Sequence, residues 1–221
     1  MSTVTIREIH ELNHNVRRFT TTKPDGYTFE PGQATEVAID KEDLQEEGRP
    51  FTFTSLPSNE FLEFIIKIYP SHEGVTDALD DLKPGDRLLL TEPFGAITWK
   101  GPGVFIAGGA GVTPFIAILR QCANNGIGAR NMLLFSNSKS EDVFMARELG
   151  ALCEGNIQLT LTSENHPDYF HGRVDQVFLK EHVEDFSQYF YVCGPPPMVE
   201  EVTKALKQLG AVQERIITEE A

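Results

Sequence analysis

The sequence predicts two domains in tandem: an antiparallel β-barrel over residues 1–100 and an α/β domain built on a parallel sheet over residues 101–221. Three observations carry this reading. Short β-rich runs separated by turn residues fill the first part of the chain. Apolar strands alternating with amphipathic helices fill the second. The run Trp99-Lys100-Gly101-Pro102, where the period changes, has the composition of a linker.

The β-rich runs recur at residues 3–11, 16–22, 34–39, 51–55, 61–69 and 86–91. Lys23-Pro24-Asp25-Gly26, Pro31-Gly32 and Lys83-Pro84-Gly85-Asp86 punctuate them as turns. Strands this short and evenly spaced suit a small antiparallel barrel. One short helix is expected at 75–82, with its alanine and leucines on one face. Beyond Gly103 the expected order is strand 104–107, helix 114–125, strand 132–136, helix 140–152 and strand 157–162, then helix 174–182, strand 189–193, helix 197–209 and strand 215–218. Continuously apolar strands joined by helices indicate a parallel sheet covered on both faces.

Composition narrows the function classes. With 40% hydrophobic and 24% charged residues the chain can build a sizeable core. A net charge of −14 argues against nucleic-acid binding, which needs clustered Lys and Arg, and against adsorption to an anionic membrane. Cys122, Cys153 and Cys193 are too scattered for an iron–sulfur centre or a disulfide framework, and the histidines show no ligand spacing, so no metal is expected. The charged start MSTVTIREIHELNHNVRRF does not read as a leader, and a cytoplasmic location is expected. Residues 101–119 carry no charge over nearly a membrane span, yet Pro102, Gly103, Gly108, Gly109, Gly111 and Pro114 break them into strand, loop and helix start, so no membrane insertion is expected.

The stretch FIAGGAGVTPFIAIL (residues 105–119) carries the first chemical signal. An apolar strand runs into Gly108-Gly109-Ala110-Gly111, with Thr113 placed as N-cap and Pro114 first in the helix, where its missing N–H costs nothing. Glycines let backbone approach a bulky anion and the helix-start N–H groups attract it, so the expected occupant is a dinucleotide pyrophosphate. Alone, the pattern also suits a tight turn. In RPFTFTS (residues 49–55), Arg49 by itself reads as a solvated edge residue. Arg49, Phe51 and Thr52 together supply a cation for phosphate, a ring for a flavin or adenine face and a hydroxyl for a polar edge. Gly74-Val75-Thr76 opens the short helix, either as a second phosphate site or as an ordinary cap. In YFYVCGPPPMVEEV (residues 189–202) a buried strand ends in Cys193-Gly194, at the sheet edge where open α/β folds bind ligands. A cysteine there ordinarily packs.

In this order the four stretches resemble the ferredoxin–NADP reductase superfamily, over nearly the whole chain. The Arg-x-aromatic-Ser/Thr signature falls on Arg49, Phe51 and Thr52, and a loose Gly/Thr phosphate motif on Gly74 and Thr76. The Thr-Pro glycine loop falls on Gly108, Gly109, Gly111, Thr113 and Pro114, and the Cys-Gly-Pro motif with its following Met on Cys193, Gly194, Pro195 and Met198. Pro31-Gly32-Gln33 and Glu92-Pro93-Phe94-Gly95 are further landmarks in the right order. The resemblance implies a flavin-binding Greek-key barrel followed by an NAD(P)-binding domain. It implies FAD rather than FMN, NADH or NADPH as donor, and a one-electron acceptor such as ferredoxin or flavodoxin. As catalytic residues it implies Thr52 at the flavin's reactive edge, Cys193 at the hydride carbon and Glu219 near the flavin edge. Cofactor contacts are implied for Arg49, Pro50, Phe51, Thr52, Ile66, Lys67, Gly74, Val75 and Thr76 on the barrel side. On the sheet side they are implied for Gly109, Gly111, Val112, Thr113, Thr162, Ser163, Cys193, Gly194, Pro195 and Met198.

The chain departs from the family pattern in two places. Phe51 stands where Tyr is commoner, so the ring can still stack but brings no hydroxyl to the flavin. The ending Thr218-Glu219-Glu220-Ala221 lacks the terminal aromatic of plant-type members, so one flavin face is expected to be open. Dinucleotide choice turns on Leu161-Thr162-Ser163-Glu164-Asn165, where NADP-selective relatives commonly carry an Arg. The Glu164 carboxylate repels the extra phosphate and suits a free ribose hydroxyl, which favours NADH, with Lys139 and Arg173 as the residues able to reverse that. Acidic acceptors would be repelled unless cations such as Arg17, Arg18, Lys23, Lys67 and Lys100 gather on one face. The alternatives left open are a reductase component of a larger oxygenase or haem electron-transfer complex, a free-flavin reductase, and a non-enzymatic NAD-binding regulatory module without flavin.

Overall fold

Alternating burial along the first strands produces the hairpin on which the barrel is built. In a computed structural model that describes residues 1–69, 75–95 and 97–219, β1 (Ser2–Asn13) buries Val4 and Ile6 and turns through His14 and Asn15 into β2 (Val16–Thr22). The pair is antiparallel, with Asn13 opposite Val16 and Ile6 opposite Thr21. β3 (Ala34–Ile39), β4 (Arg49–Thr52), β5 (Phe61–Lys67) and β6 (Arg87–Leu90) complete a six-stranded antiparallel sheet in the order β4-β3-β6-β1-β2-β5. Its two edges meet through a Phe53–Phe64 bridge and a hydrogen bond from Thr54 N to Glu63 O (2.9 Å), which closes the sheet into a barrel. Phe19, Phe53, Phe64, Leu62 and Leu88 fill it.

The expected helix at 75–82 is shorter. α1 spans Val75–Ala78, and Asp80 N→Asp77 O and Leu82 N→Leu79 O bonds continue as tight turns. Leu79 and Leu82 remain buried in the barrel core.

The second half is parallel throughout. β7 (Gly103–Gly108), β8 (Met132–Asn137), β9 (Ile157–Leu161), β10 (Phe170–His171), β11 (Tyr189–Cys193) and β12 (Ile216–Thr218) lie in the order β10-β9-β8-β7-β11-β12. Helices α2 (Thr113–Asn124) and α3 (Ala146–Leu152) pack on one face, while α4 (Gln176–His182) and α5 (Pro196–Gln208) pack on the other. The predicted helix 140–152 is divided. Ser140–Asp142 forms one 3-10 turn, Phe144 dives against Phe135, and Met145 adopts φ 55° before α3 begins. The two-residue β10 has no counterpart among the predicted strands.

Strand order reverses at β7: β8 and β9 follow on one side, β11 and β12 on the other. Crevices outside the carboxyl ends of strands at such a reversal are where open α/β sheets bind ligands. The barrel sits against this edge, because Val16, Ile65 and Ile97 share one apolar cluster with Phe115 and Ile118 of α2. Among the described residues no helix is long and apolar enough to cross a membrane.

Candidate functional site

A cleft of about 820 Å³ runs between the barrel and the strand-order reversal. The barrel contributes Pro50, Phe51 and Thr52 of β4, Ile65, Ile66 and Lys67 of β5, and Tyr69. The sheet contributes Gly108, Gly109 and Gly111 after β7, Ser136-Asn137-Ser138 at the end of β8, and Thr162 after β9. Cys193, Gly194, Pro195 and Met198 follow around β11, with Glu219 beyond β12. Most of the residues singled out in the sequence therefore converge. Arg49, Val112 and Ser163 do not line the cleft. Arg49 is exposed, with Nη1 donating to Gly48 O at 3.1 Å, whereas Val112 is fully buried in the core. Gly74 lies outside the described residues, as do the side chains of Val75 and Thr76.

The glycine loop is built for close packing as much as for a ligand. A Cβ on Gly111 would run into the Cys193 carbonyl, and one on Gly108 into Met198 Sδ. These two glycines clamp the loop to the end of β11, so Cys193 and the start of α2 sit side by side. Gly109 differs: its φ is +53°, a Cβ there would meet only open space, and it borders the cleft. The expected N-cap at Thr113 is corrected. Thr113 is the first helical residue, its Oγ1 donates to Ala110 O (3.0 Å), and the cap position falls to Val112, which has no side-chain acceptor to offer. Gly109–Val112 is a 3-10 turn that leads straight into α2, with the Thr113 N–H bonded to Ala110 O, so the amides left without a side-chain cap are those that open this turn beside the cleft, a setting that favours an anion.

Asn137 was not singled out in the sequence, although a polar run following apolar Leu133-Leu134-Phe135 at a strand's carboxyl end was the available signal. It is buried to 6% exposure, borders the cleft, and its Nδ2 has no acceptor among the described residues. A buried amide donor without a partner is costly unless a ligand completes it. Together with the uncapped turn leading into α2, Gly109 and the half-buried Phe51, it makes the cleft fit two nucleotide cofactors.

Burial, and then the charge of Glu219, pushes the Cys193 thiol up to about 12, with the Gly194 N–H working against them. The thiol is neutral at physiological pH. Glu219 is exposed as a residue yet borders the cleft, and the burial its carboxyl meets raises it above the usual range. Glu164 turns away from this region: its carboxylate accepts from Ser140 N (2.7 Å) and Ser140 Oγ (3.0 Å), and the Ser140 N–H, then the hydroxyl, hold it below the usual range. Lys139 pairs with Glu141, whereas Arg173 borders the cleft.

The two halves also meet in a polar network. Arg120 Nη1 donates to Glu63 Oε1 (2.6 Å) and Thr54 O (2.7 Å), while Nη2 and Nε donate to Glu148 Oε1 (2.6 and 2.9 Å). Burial pulls the guanidinium down, but Glu63 and Glu148 outweigh it and hold it above its ordinary value. Two of the five cations suggested by the sequence face carboxylates, and a third is held by backbone carbonyls. Arg17 pairs with Asp80 (2.9 Å), Lys67 approaches Asp142 (3.9 Å), and Lys23 donates to the Pro57 and Asn59 carbonyls.

A closed barrel whose β4 edge faces the reversal point of a parallel sheet defines the class of two-domain enzymes that hold a flavin and a nicotinamide nucleotide together. The model of the oxidoreductase FAD-binding domain matches residues 3–99 and that of the oxidoreductase NAD-binding domain residues 105–204. The chain belongs to the ferredoxin–NADP reductase-like superfamily. It is 29% identical to the reductase component of propane 2-monooxygenase from Rhodococcus jostii (strain RHA1), matching 90% of this chain but only 57% of that protein's length. It is 27% identical to NADH-cytochrome b5 reductase 2 of Rattus norvegicus, matching 96% of this chain and 91% of that one. A ferredoxin NADP+ reductase from Neisseria gonorrhoeae, solved with FAD and NADP, shares the fold at a TM-score of 0.84, with 22% identity and coverage of 99% and 97%.

Proposed function

We propose that this chain takes a hydride from NADH through FAD and delivers electrons singly to a redox protein. The observation that carries the reading is the cleft itself, which sets Phe51 and Thr52 of the barrel opposite Gly109 and Cys193 of the sheet. FAD, when bound, accepts a hydride and releases electrons one at a time. In this reading the barrel is residues 1–100 and the dinucleotide domain 101–221.

Arg49 holds phosphate, while the Phe51 ring and the Ile66 and Lys67 backbone border the flavin. The Thr52 hydroxyl bonds its reactive edge. Gly109, Gly111, Val112 and Thr113 belong to the turn and helix start whose opening amides meet pyrophosphate. Asn137 Nδ2 bonds the dinucleotide, and Thr162 borders its adenosine end, with Ser163 next to it in the chain but off the cleft wall. Cys193, packed by Gly194, Pro195 and Met198, places an uncharged sulfur against the nicotinamide and excludes water there; it does not attack. Glu219 is the acidic group at the flavin edge.

The preference for NADH rests on the negative charge of Glu164, which is anchored on Ser140 two residues beyond the cleft-lining Thr162, and Arg173 is the residue that would rescue a phosphate. The likeness to an oxygenase reductase component and a cytochrome b5 reductase supports a protein acceptor, either an oxygenase partner or a haem protein. Purified protein is expected to be yellow, with absorption at about 450 nm that NADH bleaches anaerobically faster than NADPH does. Colourless protein that binds no FAD sinks the proposal, and faster bleaching by NADPH sinks the choice of donor alone.

A further inference from the structure

We propose that Arg120 is a positioning residue: it fixes the angle between the two halves so that the α2 start and Cys193 meet the β4 edge at the spacing hydride transfer requires. The inference rests on the function proposed above.

Arg120 sits two turns into α2, the helix into which the glycine loop leads. Its guanidinium reaches across to Thr54, two residues beyond Thr52 in the same run, and to Glu63 of β5. Glu63 is buried, and its Oε1 also accepts from Thr54 Oγ1 (2.7 Å). The other side of the fork holds Glu148 of α3. One planar group thus ties the strand carrying the flavin-side residues to the helix carrying the dinucleotide loop. Guanidinium donors point in fixed directions, so this contact sets an orientation; an ammonium on a flexible stem sets only a distance.

Two further contacts hold the same junction away from Arg120. Tyr191 Oη, on the strand that ends in Cys193, accepts from Lys100 N (2.8 Å) and Gly101 N (3.0 Å) and donates to Gly101 O (2.8 Å), pinning the linker. Asn13 Nδ2, at the β1–β2 tip, donates to Glu141 O (3.2 Å) and Asp142 O (3.1 Å) in the segment following β8. With these in place, loss of Arg120 should tilt the halves without separating them.

The test compares wild type with Arg120→Lys and with the double variant Arg120→Met/Glu63→Gln, which removes both charges so that no buried carboxylate is left bare. FAD content and the KM for NADH are expected to stay within about threefold of wild type, while flavin reduction at saturating NADH falls about tenfold or more, the scale of a misplaced reacting group. Arg120→Lys should recover part of that rate. Amide exchange at residues 52–55 and 113–120 should quicken in both variants, with or without FAD. A saturating rate within about twofold of wild type in both variants overturns the proposal, as does a rate that falls only in proportion to FAD lost. If the double variant does not fold, Arg120→Lys is decided by the same rate and exchange measurements. Wild-type protein that binds no FAD would instead sink the proposed function, and the exchange comparison would still show whether Arg120 joins the halves.

Discussion

Cys193 illustrates how surroundings, rather than residue type, set chemical role. It ends a strand at a ligand cleft, the placement of many reactive thiols, yet it is 8% exposed and its pKa is pushed from 9.0 up to about 12. The thiolate is the nucleophile, so a thiol held neutral is inert. Iodoacetamide at pH 8 is therefore expected to leave Cys193 unmodified in the folded protein and to label all three cysteines once urea unfolds it; prompt labelling of Cys193 in native protein at pH 8 would refute this. The same shift has a stability consequence. A proton bound more tightly in the folded state contributes stability that is complete below the unfolded value near 9 and is lost as pH rises through the folded value near 12. Cys153, raised to about 12 mainly by burial, acts in the same sense, so urea midpoints should fall with pH across that window.

At the scale of elements, the glycine loop joins the start of α2 to the end of β11. Gly111→Ala sets a methyl against the Cys193 carbonyl, and forcing bulk into a packed site costs about 1–3 kcal/mol. A lower melting temperature and weaker NADH binding by titration are expected together. Gly109→Ala meets open space and pays only for left-handed backbone, about 1–2 kcal/mol, so the β11 contact should survive. Equal loss of NADH binding in both variants would break this distinction. The loop was legible in the sequence because strand, glycines and Thr-Pro are local signals, but the duty of each glycine was not, since Met198 and Cys193 arrive from about 80 or more residues away in the chain. Thr113 looked like a cap for the same local reason, and the structure turns its hydroxyl back to Ala110. The division of 140–152 depends on Phe144 reaching Phe135, a tertiary contact that helical spacing cannot reveal. Asn137 escaped notice because an unpaired amide is visible only once its surroundings are known.

Charge belongs to the molecule as a whole. The net charge is −14, and two of the cations that could soften it locally already face carboxylates, Arg17 with Asp80 and Lys67 with Asp142, while Lys23 is held by backbone carbonyls and keeps its charge. An acidic acceptor would approach against this field, while a protein with a basic face would be drawn in. Steering of this kind acts on association and fades as the screening length shrinks from roughly 30 Å at 0.01 M salt to roughly 8 Å at 0.15 M. With a cationic cytochrome c as artificial acceptor, kcat/KM is therefore expected to fall several-fold over that range, while the rate of flavin reduction by NADH at saturation stays level, because that step involves no protein encounter. With an acidic ferredoxin the dependence should reverse, and kcat/KM should rise as salt screens the repulsion. A profile that falls with the acidic ferredoxin would mean that a local patch of cations governs its docking in place of the overall charge. Arg18 and Lys100, which lie outside the pairs that occupy Arg17, Lys67 and Lys23, would then be the first positions to reverse in charge.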